Sequence, residues 1–225
     1  MKLHILLPAG FFRTLVRYCF LAIASVCLAL YSYTYLERVQ FQNYESREFD
    51  RMRDAAVLAA SVDPVKPIGR IVGTSRKLWP SSNSPSSVAV IGRLSVKRLH
   101  LTAIVREGID RNTLDLAVGH IPETALPGQA GNIGVAGHRD TFFRGLKDLR
   151  NGDEVQFSTV GGDFKYVVES LIVVEPDNMA VLAASSENML TLVTCYPFSF
   201  IGAAPRRFVV RARQVSPQAL ATVVE

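Results

Sequence analysis

A chain of 225 residues with 48% hydrophobic content can bury one sizeable core and still carry an appended segment, so one main domain is expected. Its 25 basic and 20 acidic residues leave a formal net charge of +5, and they are dispersed, without the Lys/Arg block or aromatic-basic interleaving of a nucleic-acid binder. Of the three cysteines only Cys195 lies outside the apolar N-terminal run, which excludes a disulfide within a soluble domain.

A short basic segment, 1–17, precedes nineteen residues without a formal charge, Tyr18 to Leu36, edged by Tyr31, Tyr33 and Tyr35. As a helix that length spans a bilayer, and no small-x-small cleavage site follows it, so 18–36 reads as a retained transmembrane anchor rather than a signal peptide. Lys2, Arg13 and Arg17 before the run are matched by Arg38, Arg47, Arg51 and Arg53 after it, and charge alone does not decide the orientation.

Residues 37–87 divide into two parts. Glu37 to Ser61 carries no Gly or Pro and can form a stalk helix with Tyr44, Phe49, Met52 and Ala56 as its apolar positions; a solvated spacer is the equal alternative. Asp63 to Ser87 holds four prolines, two glycines and the tract SSNSPSS, and reads as a linker.

From Val88 onward short β-rich runs recur at 88–92, 99–105, 132–137, 154–160, 164–174, 189–195 and 207–213. Gly161-Gly162 between two of them predicts a hairpin. Short helical insertions are expected after Asp140-Thr141, with Phe142, Leu146 and Leu149 on one face, and after Asp177, before MAVLAA. The class is mainly β, a closed barrel, over 88–213, with 214–225 as a tail. No Gly-rich phosphate loop and no paired Cys/His spacing is present, so nucleotide, cofactor and structural-metal readings have no support.

Cys195 ends the run TLVTC, where a buried strand-end thiol competes with a nucleophile. His138 follows Ala136-Gly137 at the end of an apolar run, where a ring sits at a rim and can exchange protons. Arg207 opens the last run beside Arg206, and a surface role is the default for either.

TLVTC at 191–195 matches the TLxTC signature of sortases, and GHRDTFF at 137–143 resembles the segment around their histidine. VGHIPETALPGQAGNIGVAGHRD at 118–140 resembles the stretch entering that histidine strand, and APRRFVVRA at 204–212 the terminal strand with their arginine. The resemblance covers 88–213, and its wording is nearest to class D and to the sortases of Gram-negative bacteria.

The resemblance implies an eight-stranded barrel whose groove takes an LPxTG-like sorting motif on a secreted protein and passes the acyl group to an amine, either a cell-wall precursor or a protein lysine. Cys195 would be the nucleophile, His138 the proton-transfer residue and Arg207 the oxyanion stabiliser; no metal or organic cofactor is implied. Alignment to Ala212 selects Arg207 over Arg206, since strand alternation cannot put both on one face. Thr194 corresponds to the family threonine that contacts substrate or the oxyanion region, with a strand hydroxyl facing the other way as the alternative. Asp140 either orients His138 or caps the helix behind it, and the capping reading is preferred. His120, His4 and His100 are assigned no chemistry. An extracytoplasmic, single-pass membrane enzyme is the reading, with a thiol hydrolase and a non-catalytic peptide-binding scaffold as rivals.

Overall fold

The computed structural model describes residues 9–61, 89–200 and 202–215, so His4, the Pro/Ser-rich linker and the last ten residues lie outside the described residues. The chain falls into two compact units, Met1–Phe41 and Gln42–Glu225.

Helix α1 spans Ala9–Ser61. In the first unit its apolar side chains stand on the surface: Leu21, Ile23, Val26, Leu28 and Leu30 are each 58–66% exposed. Among the described residues this is the one helix long and apolar enough to cross a membrane. An apolar surface of this extent makes α1 a candidate membrane span.

The second unit is a closed antiparallel-rich barrel of eight strands: β1 (Val90–Val96), β2 (Leu101–Glu107), β3 (Val118–His120), β4 (Asn132–Ala136), β5 (Glu154–Thr159), β6 (Gly162–Val174), β7 (Met189–Tyr196) and β8 (Arg206–Val215). Their order around the barrel is β1-β2-β3-β4-β7-β8-β6-β5. Closure removes the sheet edges that would otherwise invite pairing with other chains. The expected hairpin is present, with Thr159 paired to Gly162 across the two-residue loop Val160-Gly161.

Alternation fills the interior. Leu94, Val96, Ala103, Val105, Ile133, Val135, Phe157, Tyr166, Leu190, Leu192, Val210 and Ala212 all belong to one core cluster, and each large side chain so buried contributes roughly 1.5–3 kcal/mol. Phe143, Leu146 and Leu149 join it from the 3-10 helix Phe142–Asp148 and the residue that follows. The second insertion is a 3-10 turn, Met179–Leu182, whose first turn is capped by the Asn178 side chain accepting from the Ala180 N–H, rather than by Asp177.

Two elements were not expected from the sequence. Strand β3 has only three residues, all buried, and is too short to show a period. Helix α2 (Arg111–Leu116) connects β2 to β3 and is capped by Asp110, whose carboxylate accepts from the Thr113 N–H at 3.2 Å and the Thr113 hydroxyl at 2.6 Å. Those hydrogen bonds, the hydroxyl's first, hold the Asp110 carboxyl below its usual pKa.

Because β3 pairs only with Val105–Glu107, the earlier part of β2 has free backbone groups on that side. The part of α1 within this unit supplies the partner: Gln42 Oε1 accepts from the Ile104 N–H at 3.0 Å while Gln42 Nε2 donates to the Leu116 carbonyl at 2.7 Å. Phe49 is buried beneath the Arg93 guanidinium, which lies 5.0 Å from its ring centre and also reaches Asp50 and the Ser46 carbonyl. Of the apolar positions expected in this stretch, Phe49 is buried, whereas Tyr44 and Met52 are exposed. Gln42, Ser46, Phe49 and Arg53 recur at helical spacing, and this docked stripe is mostly polar.

Candidate active site

Strands β4 and β7 run parallel and side by side, with register pairs from Asn132↔Met189 to Ala136↔Val193. Every pair is separated by 57 residues, as are Gly137 and Thr194, joined by a hydrogen bond just beyond the strand end. His138 and Cys195 have the same separation, so the register brings both to one level at the neighbouring strand ends.

The turn after β4 is held on both sides. The Gly137 N–H donates to the Val193 carbonyl at 3.1 Å, and its carbonyl accepts from the Thr194 hydroxyl at 2.7 Å. A side chain at Gly137 would collide with the Phe143 ring, whose nearest atom is 2.8 Å from where a Cβ would stand. The glycine before His138 is thus required by the buried Phe143 five residues beyond it.

Cys195 and Arg207 are directly opposed across the antiparallel β7–β8 pair, as are Tyr196 and Arg206. Directly opposed residues share a face, and successive residues alternate, so Cys195 and Arg207 lie together while Arg206 lies on the other face. Arg206 is exposed and pairs with Glu175 at 3.5 Å. Arg207 is half-buried and donates to the Ala204 and Arg206 carbonyls. Cys195 is a half-buried free thiol; Cys19 and Cys27 are free and exposed on α1.

Thr194 is 2% exposed, and its hydroxyl donates to the Gly137 carbonyl at 2.7 Å. Asp140 is exposed, and the 3-10 helix Phe142–Asp148 behind it has Thr141 at its N-cap position and no side-chain cap. The carboxylate beside the His138 ring is instead Asp115, with Oδ1 3.6 Å from Nε2. Sequence reading passed over this residue because α2 was not recognised, although Asp110 followed three residues later by Thr113 is a usable helix-start signal.

On the outer side of the barrel the floor between β4 and β7 is lined by small side chains. At Gly134 a Cβ would meet Ile121 and Leu182, each 3.1 Å away. Asn132 donates to the Val181 and Ala183 carbonyls and accepts from the Thr191 hydroxyl, fastening the 3-10 turn Met179–Leu182 beside that floor.

His120 occupies a different environment. It is 3% exposed, with Nδ1 3.0 Å from Glu107 and Nε2 3.0 Å from both the Ala125 carbonyl and the Thr124 hydroxyl. His100 adopts a left-handed conformation that closes the short 3-10 turn Lys97–Leu99. Among the described residues no group of three or more His, Cys, Asp or Glu side chains could hold a metal ion.

Comparison with known proteins agrees with this architecture. Residues 94–215 match the family model of the sortase domain. Sortase D of Bacillus subtilis (strain 168) is 30% identical over 158 residues, covering 70% of this chain and 80% of the relative. Among solved structures, the Clostridium perfringens sortase D5 transpeptidase superposes with a TM-score of 0.52 at 28% identity, covering 56% of this chain and 79% of that one. Clostridium perfringens sortase C, determined with the C-terminal cell wall sorting motif, gives 0.53 at 25% identity over 57% and 72% of the respective chains. The chain belongs to the sortase family of cysteine transpeptidases.

Proposed function

We propose that this sortase is membrane-anchored through α1 and cleaves an LPxTG-like motif near the C-terminus of secreted proteins, transferring the acyl group to an amine. The observation that carries the reading is the register of three strands, which sets Cys195 level with His138 and directly across from Arg207. The structure of Clostridium perfringens sortase C with the C-terminal cell wall sorting motif supports the substrate class.

In the first half-reaction the Cys195 thiolate attacks the scissile carbonyl, forming an S–C bond while electron density moves to the oxygen. Arg207, permanently charged, stabilises that oxyanion. Collapse breaks the C–N bond, and the His138 imidazolium protonates the departing amine. In the second half the neutral imidazole takes the proton of the incoming amine, whose nitrogen displaces the sulfur. Asp115, 3.6 Å from Nε2, orients the ring. Thr194 contributes through Gly137, by holding the turn that presents His138.

The acceptor is a cell-wall precursor or a lysine of another protein. The test is product analysis of the full chain in detergent with an LPxTG-type peptide, with and without a primary amine. An amide-linked product is expected; hydrolysed peptide alone would make the enzyme a thiol peptidase, and no cleavage would overturn the reading. The catalytic unit lies outside the cytoplasm, where its secreted substrates are, so protease added to intact spheroplasts should remove it. Complete protection would reverse that orientation.

A further inference from the structure

Arg139, next to His138, belongs to none of the roles above, yet its guanidinium collects three backbone carbonyls from one distant loop. Nη1 donates to Pro197 at 3.1 Å, and Nη2 donates to Phe200 at 2.7 Å and Gly202 at 2.9 Å. The guanidinium carbon also lies 5.9 Å from the centre of the Phe200 ring. All three carbonyls come from the segment that leaves β7 after Tyr196 and enters β8 at Arg206.

Charge-assisted donors to carbonyls are stronger than neutral ones, and a planar fork fixes direction as well as distance. The start of that segment is packed, with Phe198 edge-on to Tyr196 at 6.1 Å and to Phe208 at 5.3 Å between ring centres. Among the described residues of its farther part, Phe200 is 46% exposed and Gly202 adopts a φ of +100°. Hydrogen bonds hold that part: two come from Arg139, beside one from the Arg207 guanidinium to the Ala204 carbonyl and one from the Phe200 N–H to the Pro197 carbonyl.

We infer that Arg139 is a positioning residue which latches the β7–β8 loop to the His138 turn, so that one side chain sets the spacing between the histidine and the two strands bearing Cys195 and Arg207. The inference rests on the proposed function for its catalytic consequence, but the latch can be read without turnover. An error of about 1 Å in such an arrangement can cost on the order of a hundredfold in rate.

The experiment compares Arg139→Ala and Arg139→Lys with wild type in the full chain, using amide hydrogen exchange and steady-state kinetics on a sorting peptide. Both variants should speed exchange across 198–204 by at least about tenfold while the strand amides of β4, β7 and β8 keep their protection, because the Lys point charge cannot reproduce the fork. Both should lower kcat about 10- to 100-fold with a smaller change in KM. Unchanged loop exchange in Arg139→Lys, or wild-type kcat in that variant, would overturn the latch. Should Arg139→Ala fail to fold, the Lys variant alone decides. A wild-type protein without turnover would count against the proposed function, while the exchange measurement would still decide the latch.

Discussion

Two histidines sit at the ends of neighbouring strands in opposite environments. His120 closes β3, where burial removes it from water and both ring nitrogens face oxygens at 3.0 Å. His138 follows β4, with a side chain 40% exposed and, among the described residues, one carboxylate at 3.6 Å. A ring whose hydrogen bonds are all spent on its own fold can move no proton to substrate, whereas a rim histidine with one orienting partner keeps an atom available. Neither residue type nor strand position separates the two; burial and partner count do.

The contrast breaks most severely at His138. Replacement by Ala should reduce peptide turnover by about 10²–10⁴-fold while the melting temperature stays near wild type, as steady-state kinetics and calorimetry would show. Turnover near wild type in that variant would leave the ring without a catalytic part.

Arg207 and Arg206 sharpen the same distinction on the adjoining strand. On the proposed mechanism, in which the Arg207 charge meets an oxygen that is negative only in the transition state, Arg207→Ala should lower kcat on the order of a hundredfold with a smaller change in KM. Arg206→Ala removes an exposed ion pair with Glu175 and should stay close to wild type in kinetic assays. The opposite ranking would transfer the oxyanion role to Arg206 and contradict the register argument.

At His120 the expected effect is on stability. His120→Ala removes the buried centre of a network linking Glu107, Thr124 and Ala125, at a cost of about 1–3 kcal/mol in lost hydrogen bonds and packing. Denaturant unfolding should report that loss, with kcat retained where the variant is folded. A catalytic defect without loss of stability would erase the contrast between the two rings.

Much of this was legible in the sequence because the governing patterns are local. Alternation exposed the core runs of β1, β2 and β4 to β8, and Gly161-Gly162 marked the hairpin. The 57-residue interval between His138 and Cys195 is meaningful because β4 and β7 are in parallel register with that same offset. What escaped was non-local or polar. Strand β3 is too short for a period, and α2 was hidden with it, so Asp115 went unseen. The docked stripe of α1 uses Gln42, Ser46 and Arg53 to reach barrel atoms, a pattern that hydrophobic periodicity does not detect. Arg139 acts on carbonyls about sixty residues away, whose convergence only the fold creates.

The most direct test of the account is to locate the acyl group. Intact-protein mass spectrometry of the full chain incubated with an LPxTG-type peptide should show a covalent adduct of the N-terminal peptide fragment, mapped by digestion to Cys195 and discharged by added amine. Cys195→Ala, folded as judged by calorimetry, should show neither adduct nor cleavage. An adduct on any other residue, or retained turnover in the Cys195→Ala protein, would contradict the assignment of Cys195 as the nucleophile.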